Sequence, residues 1–113
     1  MGGINDVICG ESFDSITWNI SRMVDLSLKH NIKVILGLPT AVDEPGWEKM
    51  IQRIRDWIID YADQKHLAVI NFARAFYDDN GELRHELLLD DGGHPSVKGY
   101  KAMFEQIDLN VFN

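Results

Sequence analysis

At 113 residues the chain has room for one domain, at the small end for a layered α/β fold. Hydrophobic content of 45% and charged content of 26% are those of an ordinary soluble globular protein, and no window is apolar for long enough to span a membrane. Eleven basic against eighteen acidic residues leave a net charge of −7, which argues against nucleic acid or another polyanion as partner, because phosphate recognition is built on Lys and Arg.

The chain opens on Met1-Gly2-Gly3-Ile4-Asn5-Asp6, a glycine pair followed by two turn-forming side chains, with Val7-Ile8-Cys9-Gly10 behind it. No basic segment leads into an apolar run, so no signal peptide is expected. Cys9 stands alone and can form no internal disulfide, which fits a reducing compartment and slightly favours the cytoplasm without fixing the localisation. From Ser12 the apolar residues Phe13, Ile16, Ile20, Met23, Val24 and Leu28 fall at three-four spacing, which predicts an amphipathic helix capped by Ser12. Lys29-His30-Asn31 supplies its cationic last turn and a residue tolerant of the left-handed region.

Lys33 to Leu38 is short, branched and apolar, and Pro39 halts it; this predicts a buried parallel strand. Pro45 sits where a first helical residue should, after an acidic pair suited to a helix N-terminus. The helix it starts carries Trp47, Met50, Ile51, Ile54, Trp57, Ile58 and Tyr61 on one face. Lys49, Arg53, Arg55, Asp56 and Asp60 are assigned to the remainder. Leu67 to Phe72 reads as a second buried strand. Asp78-Asp79-Asn80-Gly81 reads as a polar turn that lacks the fixed ligand positions of a calcium loop. Ser96 caps a last helix whose inner face is read as Val97, Tyr100, Met103, Phe104 and Ile107. His30 and His66 fit helix C-terminal cations, and His85 an exposed loop residue.

Between the second strand and the last helix lies Asp90-Asp91-Gly92-Gly93-His94-Pro95. A carboxylate three residues before an imidazole in a Gly-Gly turn can hydrogen-bond one ring nitrogen, set its tautomer and favour the imidazolium that a general base becomes. The competing reading makes Asp91 no more than a cap for the helix that follows. Helix, strand, helix, strand, loop and helix in succession indicate a parallel sheet with helices on its faces, and in such sheets reactive loops gather at the carboxyl ends of the strands. The loop before the first helix and the Asp91–His94 loop would both lie on that edge.

Gly3-Ile4-Asn5-Asp6 and Asp91-Gly92-Gly93-His94-Pro95, the latter trailed by Gly99-Tyr100, together resemble the G-x-N-D and D-x-x-H-P blocks of the SGNH hydrolases, or GDSL lipases and esterases. The resemblance implies a flavodoxin-like three-layer α/β/α domain. Residues 1–113 would be only its C-terminal part, about two core strands and three helices. It further implies that Asn5 donates to the oxyanion of a tetrahedral intermediate, His94 is the general base, Asp91 orients it, and Gly3 and Asp6 support the Asn5 loop. No metal and no cofactor are implied, and the activity implied is hydrolysis of a carboxylic ester, thioester or acetylated sugar through a serine acyl-enzyme.

The departure from the family pattern is the nucleophile. No Gly-Asp-Ser occurs in the chain; Gly10-Glu11-Ser12 echoes it faintly but follows the Asn5 block, and Ser12 reads better as a helix cap. Cys9, beside Val7 and Ile8, fits packing better than catalysis. The isolated chain is therefore expected to be inactive. Two strands are marginal on their own and an open strand edge templates another chain, so completion by an N-terminal fragment or by homo-oligomerisation is also expected. The alternative is a non-catalytic α/β module that functions by association.

Overall fold

The computed structural model describes residues 10–112. The first helix, α1, runs Phe13–Lys29, and Ser12 caps it by accepting a hydrogen bond from the Ser15 N–H at 3.1 Å. It ends where Asn31 turns to a φ of 59° and the Ile32 N–H returns to the Ser27 carbonyl. Its buried stripe is Ile16, Thr17 and Val24, narrower than the spacing predicts, because Met23 and Leu28 remain exposed.

Strands β1 (Ile35–Gly37) and β2 (Ala68–Ile70) pair in parallel, in the register Ile35–Ala68, Leu36–Val69 and Gly37–Ile70. Both are shorter than the apolar runs suggest. Beyond Ile70 the Asn71 side chain accepts from the Arg74 N–H and winds Phe72–Phe76 into a 3-10 helix, which removes those residues from the ladder. Among the described residues the other edge of β1 has no strand partner.

Helix α2 spans Pro45–Lys65, with Pro45 in its first turn and the Glu44 carboxylate accepting from the N–H groups of Gly46 and Trp47. Its end is set by His66 at a φ of 58°, a left-handed cap that returns the Leu67 N–H to the Ala62 carbonyl. Ile51, Ile54 and Ile58 are buried with Ile16 of α1, Leu38 and Val42. Leu36, Val69, Trp47 and Trp57 pack around them, so both helices cover one face of the sheet. Each such aliphatic side chain contributes roughly 1.5–3 kcal/mol by leaving water. The assignment of Arg55 to the polar face is wrong: it is 3% exposed, facing inward one residue after Ile54.

A second core joins Ala41, Ala75, Phe76, Leu87, Leu88 and Met103. The final helix, α3 (Val97–Phe104), is capped by Ser96 as predicted, but of its predicted inner face only Met103 is buried. Val97, Tyr100 and Phe104 are exposed, and the helix instead lies against the 3-10 turns through Gly99, Ala102 and Met103. Hydrophobicity pointed to the large residues; the close approach is decided by Gly99, where a Cβ would land on the Leu87 carbonyl oxygen. The segment between β1 and α2 touches both cores, Val42 entering the first and Ala41 the second.

Candidate active site

The Asp91–His94 loop is the tip of a short excursion closed at its base. Leu88 and Pro95 form an antiparallel bridge, the Leu89 N–H donates to the His94 carbonyl at 2.8 Å, and the Ser96 N–H donates to the Leu87 carbonyl at 2.8 Å. Within the tip the Gly92 N–H returns to the Leu89 carbonyl, and Gly92 takes a φ of 69°, a conformation that strains any residue with a Cβ.

That turn brings the Asp91 carboxylate back over its own loop. Its Oδ1 accepts from the N–H groups of Gly93 at 2.8 Å and His94 at 3.1 Å, while Oδ2 lies 2.7 Å from the His94 Nδ1. The backbone bond from Gly93, followed by the side-chain bond from His94, holds the Asp91 carboxyl below its ordinary range. An ionised carboxylate only accepts, so Nδ1 carries the proton in this pair. The lone pair of neutral His94 then resides on Nε2, the nitrogen directed away from Asp91. Asp91 is not the cap of α3; Ser96 fills that role, its hydroxyl oxygen accepting from the Gly99 N–H and its hydroxyl donating to the Glu86 carbonyl.

Two neighbours of the loop escaped the sequence reading. The Asp43 N–H donates to the Gly92 carbonyl at 2.6 Å, and the Asp43 carboxylate sits 2.9 Å from the Nδ1 of His85. His85 is exposed as expected, but it begins a 3-10 turn (His85–Leu87) and is engaged with Asp43. Nothing in the local sequence signals either contact, since both join segments far apart in the chain. Arg55 and Glu48, seven residues apart on α2, were legible in principle: Arg55 is four residues from Ile51 and so shares its buried side.

Ser12 is occupied as the α1 cap. Gly3, Asn5, Asp6 and Cys9 lie outside the described residues. Among the described residues no group of three or more His, Cys, Asp or Glu is arranged to hold a metal, and no helix is long and apolar enough to cross a membrane.

A parallel α/β core with an Asp–His pair in the loop before its last helix defines the class, and comparison with known proteins agrees. Residues 1–102 match the GDSL-like Lipase/Acylhydrolase family, and the chain belongs to it. Similar solved structures include a protein described as lipolytic, of the G-D-S-L family, from Desulfitobacterium hafniense, with 30% identity and a TM-score of 0.77 over 92% of this chain and 58% of that one. A GDSL-like lipase from Bacteroides thetaiotaomicron is similar at 25% identity and a TM-score of 0.71, over 91% of this chain and 54% of that one. The esterase domain of a zebrafish retrotransposon ORF1 protein shares the fold, at 15% identity and a TM-score of 0.71, with 85% and 56% covered. The chain thus spans little more than half the length of these relatives. No curated protein matches it.

Proposed function

We propose that residues 1–113 supply the base and oxyanion-donor side of a serine ester hydrolase, and that the carrying observation is the 2.7 Å contact between His94 Nδ1 and an Asp91 carboxylate held by two further N–H groups. With Nδ1 so engaged, Nε2 takes the proton of an attacking serine and afterwards delivers it to the departing alcohol or thiol. Asp91 keeps the ring in the required tautomer and stabilises the imidazolium without being protonated. Asn5 donates its side-chain amide to the oxyanion, a contribution of roughly 10²–10³ in rate for a preorganised donor. The substrate class is a carboxylic ester, a thioester or an acetylated sugar.

The serine comes from outside these residues, in the remainder of a domain whose relatives are nearly twice as long. Among the described residues one edge of β1 carries no strand, and added strands would extend the sheet there, supplied by an N-terminal fragment or by a second copy of the chain. A purified 113-residue chain should therefore show no saturable hydrolysis of p-nitrophenyl acetate. Saturable turnover by the chain alone that disappears in His94→Ala contradicts the reading.

A second reading, a non-catalytic module acting by association, draws on the exposed Val97, Tyr100 and Phe104 of α3. Sedimentation separates this group of ideas from a self-sufficient fold: a monodisperse monomer that unfolds cooperatively would refute completion by another chain.

A further inference from the structure

Arg55 is the most deeply buried charged residue among those described. Its guanidinium holds the Glu48 carboxylate with two bonds, Nη1 to Oε2 at 2.7 Å and Nη2 to Oε1 at 2.9 Å. The same group donates from Nε to the Pro39 carbonyl and from Nη2 to the Thr40 carbonyl, both at 2.9 Å. Glu48 Oε1 in turn accepts from the Val42 N–H at 3.2 Å. One ion pair on α2 therefore grips three backbone groups, at 39, 40 and 42, in the segment that leaves the carboxyl end of β1. The phenol of Tyr77 also faces this pair, its pKa raised by burial and then by Glu48.

The next residue in that segment is Asp43, whose N–H donates to the Gly92 carbonyl in the middle of the Asp91–His94 turn. Contact there is tight: a Cβ added at Gly92 would lie 3.3 Å from the Cβ of Asp43. His85 holds Asp43 from the other side through its carboxylate. The helix, the buried guanidinium, the 39–43 segment and the Gly92 peptide are joined in one continuous path of hydrogen bonds and intervening backbone.

We propose that Arg55, with Glu48, is a positioning residue for His94: it sets the height of the 39–43 segment, and through Asp43 and Gly92 it sets the turn in which Asp91 meets the imidazole. The inference rests on the reading of His94 as general base, but its test reads the ring directly and needs no turnover. Planar, bidentate contact with one carboxylate plus two carbonyls is geometry that Lys cannot reproduce, so Arg55→Lys keeps the charge and loses the splint. Gly92→Ala perturbs the same path at its far end. Ile58→Val, a core change on α2 that removes none of the hydrogen bonds to the 39–43 backbone, controls for general loosening.

The measurement is the ratio of Nδ1–H to Nε2–H tautomer of neutral His94, by long-range proton–nitrogen correlation on labelled protein at alkaline pH, each variant first shown folded by circular dichroism. Wild type is expected to favour Nδ1–H. The ratio should fall about fivefold in Arg55→Lys and in Gly92→Ala, the factor that corresponds to one net hydrogen bond, and hold in Ile58→Val. An unchanged ratio in folded Arg55→Lys, or an equal fall in Ile58→Val, overturns the positioning role. If Arg55→Lys does not fold, an unchanged ratio in Gly92→Ala overturns it. A wild-type ring in the Nε2–H form instead overturns the base assignment itself, a distinct result.

Discussion

Substituting Gly99 sets two principles against each other. On propensity alone Gly99→Ala should stabilise α3, because Gly costs a helix about 1 kcal/mol relative to Ala and leaves more freedom in the unfolded chain. The structure points the other way. The new Cβ would strike the Leu87 carbonyl oxygen and stand 3.0 Å from the Pro95 Cβ. Leu87 is 2% exposed in the second core and its carbonyl accepts from the Ser96 N–H, so it cannot retreat without disturbing both. Overpacking costs roughly 1–3 kcal/mol and the weakened hydrogen bond about 1 kcal/mol. Set against the propensity gain of about 1 kcal/mol, the variant should lose roughly 1–3 kcal/mol. At about 4 °C per kcal/mol for a domain of this size, the melting temperature falls by roughly 4–12 °C. Thermal melts followed by circular dichroism, with urea unfolding to check that the slope is unchanged, measure it. A Gly99→Ala protein as stable as wild type would show that α3 does not need this approach, and the account of why its large apolar residues face outward would fail with it.

Glu48→Ala leaves the buried guanidinium of Arg55 without its carboxylate and should cost about 3–5 kcal/mol in urea unfolding. Replacing both partners with Glu48→Leu and Arg55→Met, a change often neutral for a buried ion pair, should not restore stability. It strands the Pro39 and Thr40 carbonyls and the Val42 N–H at roughly 1–3 kcal/mol each, and wild-type stability in the double variant would refute the backbone-gripping role. Asp91 titrates below its ordinary value of 3.8, so its ionised form favours the folded state. That contribution is complete above the ordinary value and is lost as pH falls through the lower folded-state value. The stability difference between wild type and Asp91→Asn should accordingly narrow in strong acid, and a difference independent of pH across that range would show that the carboxylate charge does not matter to the loop.

Much of the local structure was legible in the chain. Ser12, Pro45 and Ser96 each start a helix because a hydroxyl acceptor or a preset φ serves backbone groups within three residues, and Asn31 tolerates the left-handed turn that ends α1. Asp91 and His94 could be paired on paper for the same reason: three residues across a Gly-Gly turn is a local distance. Contacts between segments remote in sequence were not legible. Asp43 reaches Gly92 and His85 only because the parallel sheet sets the segment after β1 beside the loop before α3.

The chain by itself determined its helices, the two apolar runs that become strands and the chemistry of the Asp91–His94 turn, all of which depend on neighbours a few residues away. Tertiary structure decided which polar residue goes inside and which apolar ones stay out. Arg55 is buried because five acceptors, the two Glu48 carboxylate oxygens, the Gln52 side-chain oxygen and the Pro39 and Thr40 carbonyls, converge on its guanidinium and repay its desolvation, and Val97, Tyr100 and Phe104 are exposed because Gly99 alone lets α3 approach Leu87 closely. Periodicity weighs hydrophobicity along a single helix; burial depends on what the rest of the fold brings against it.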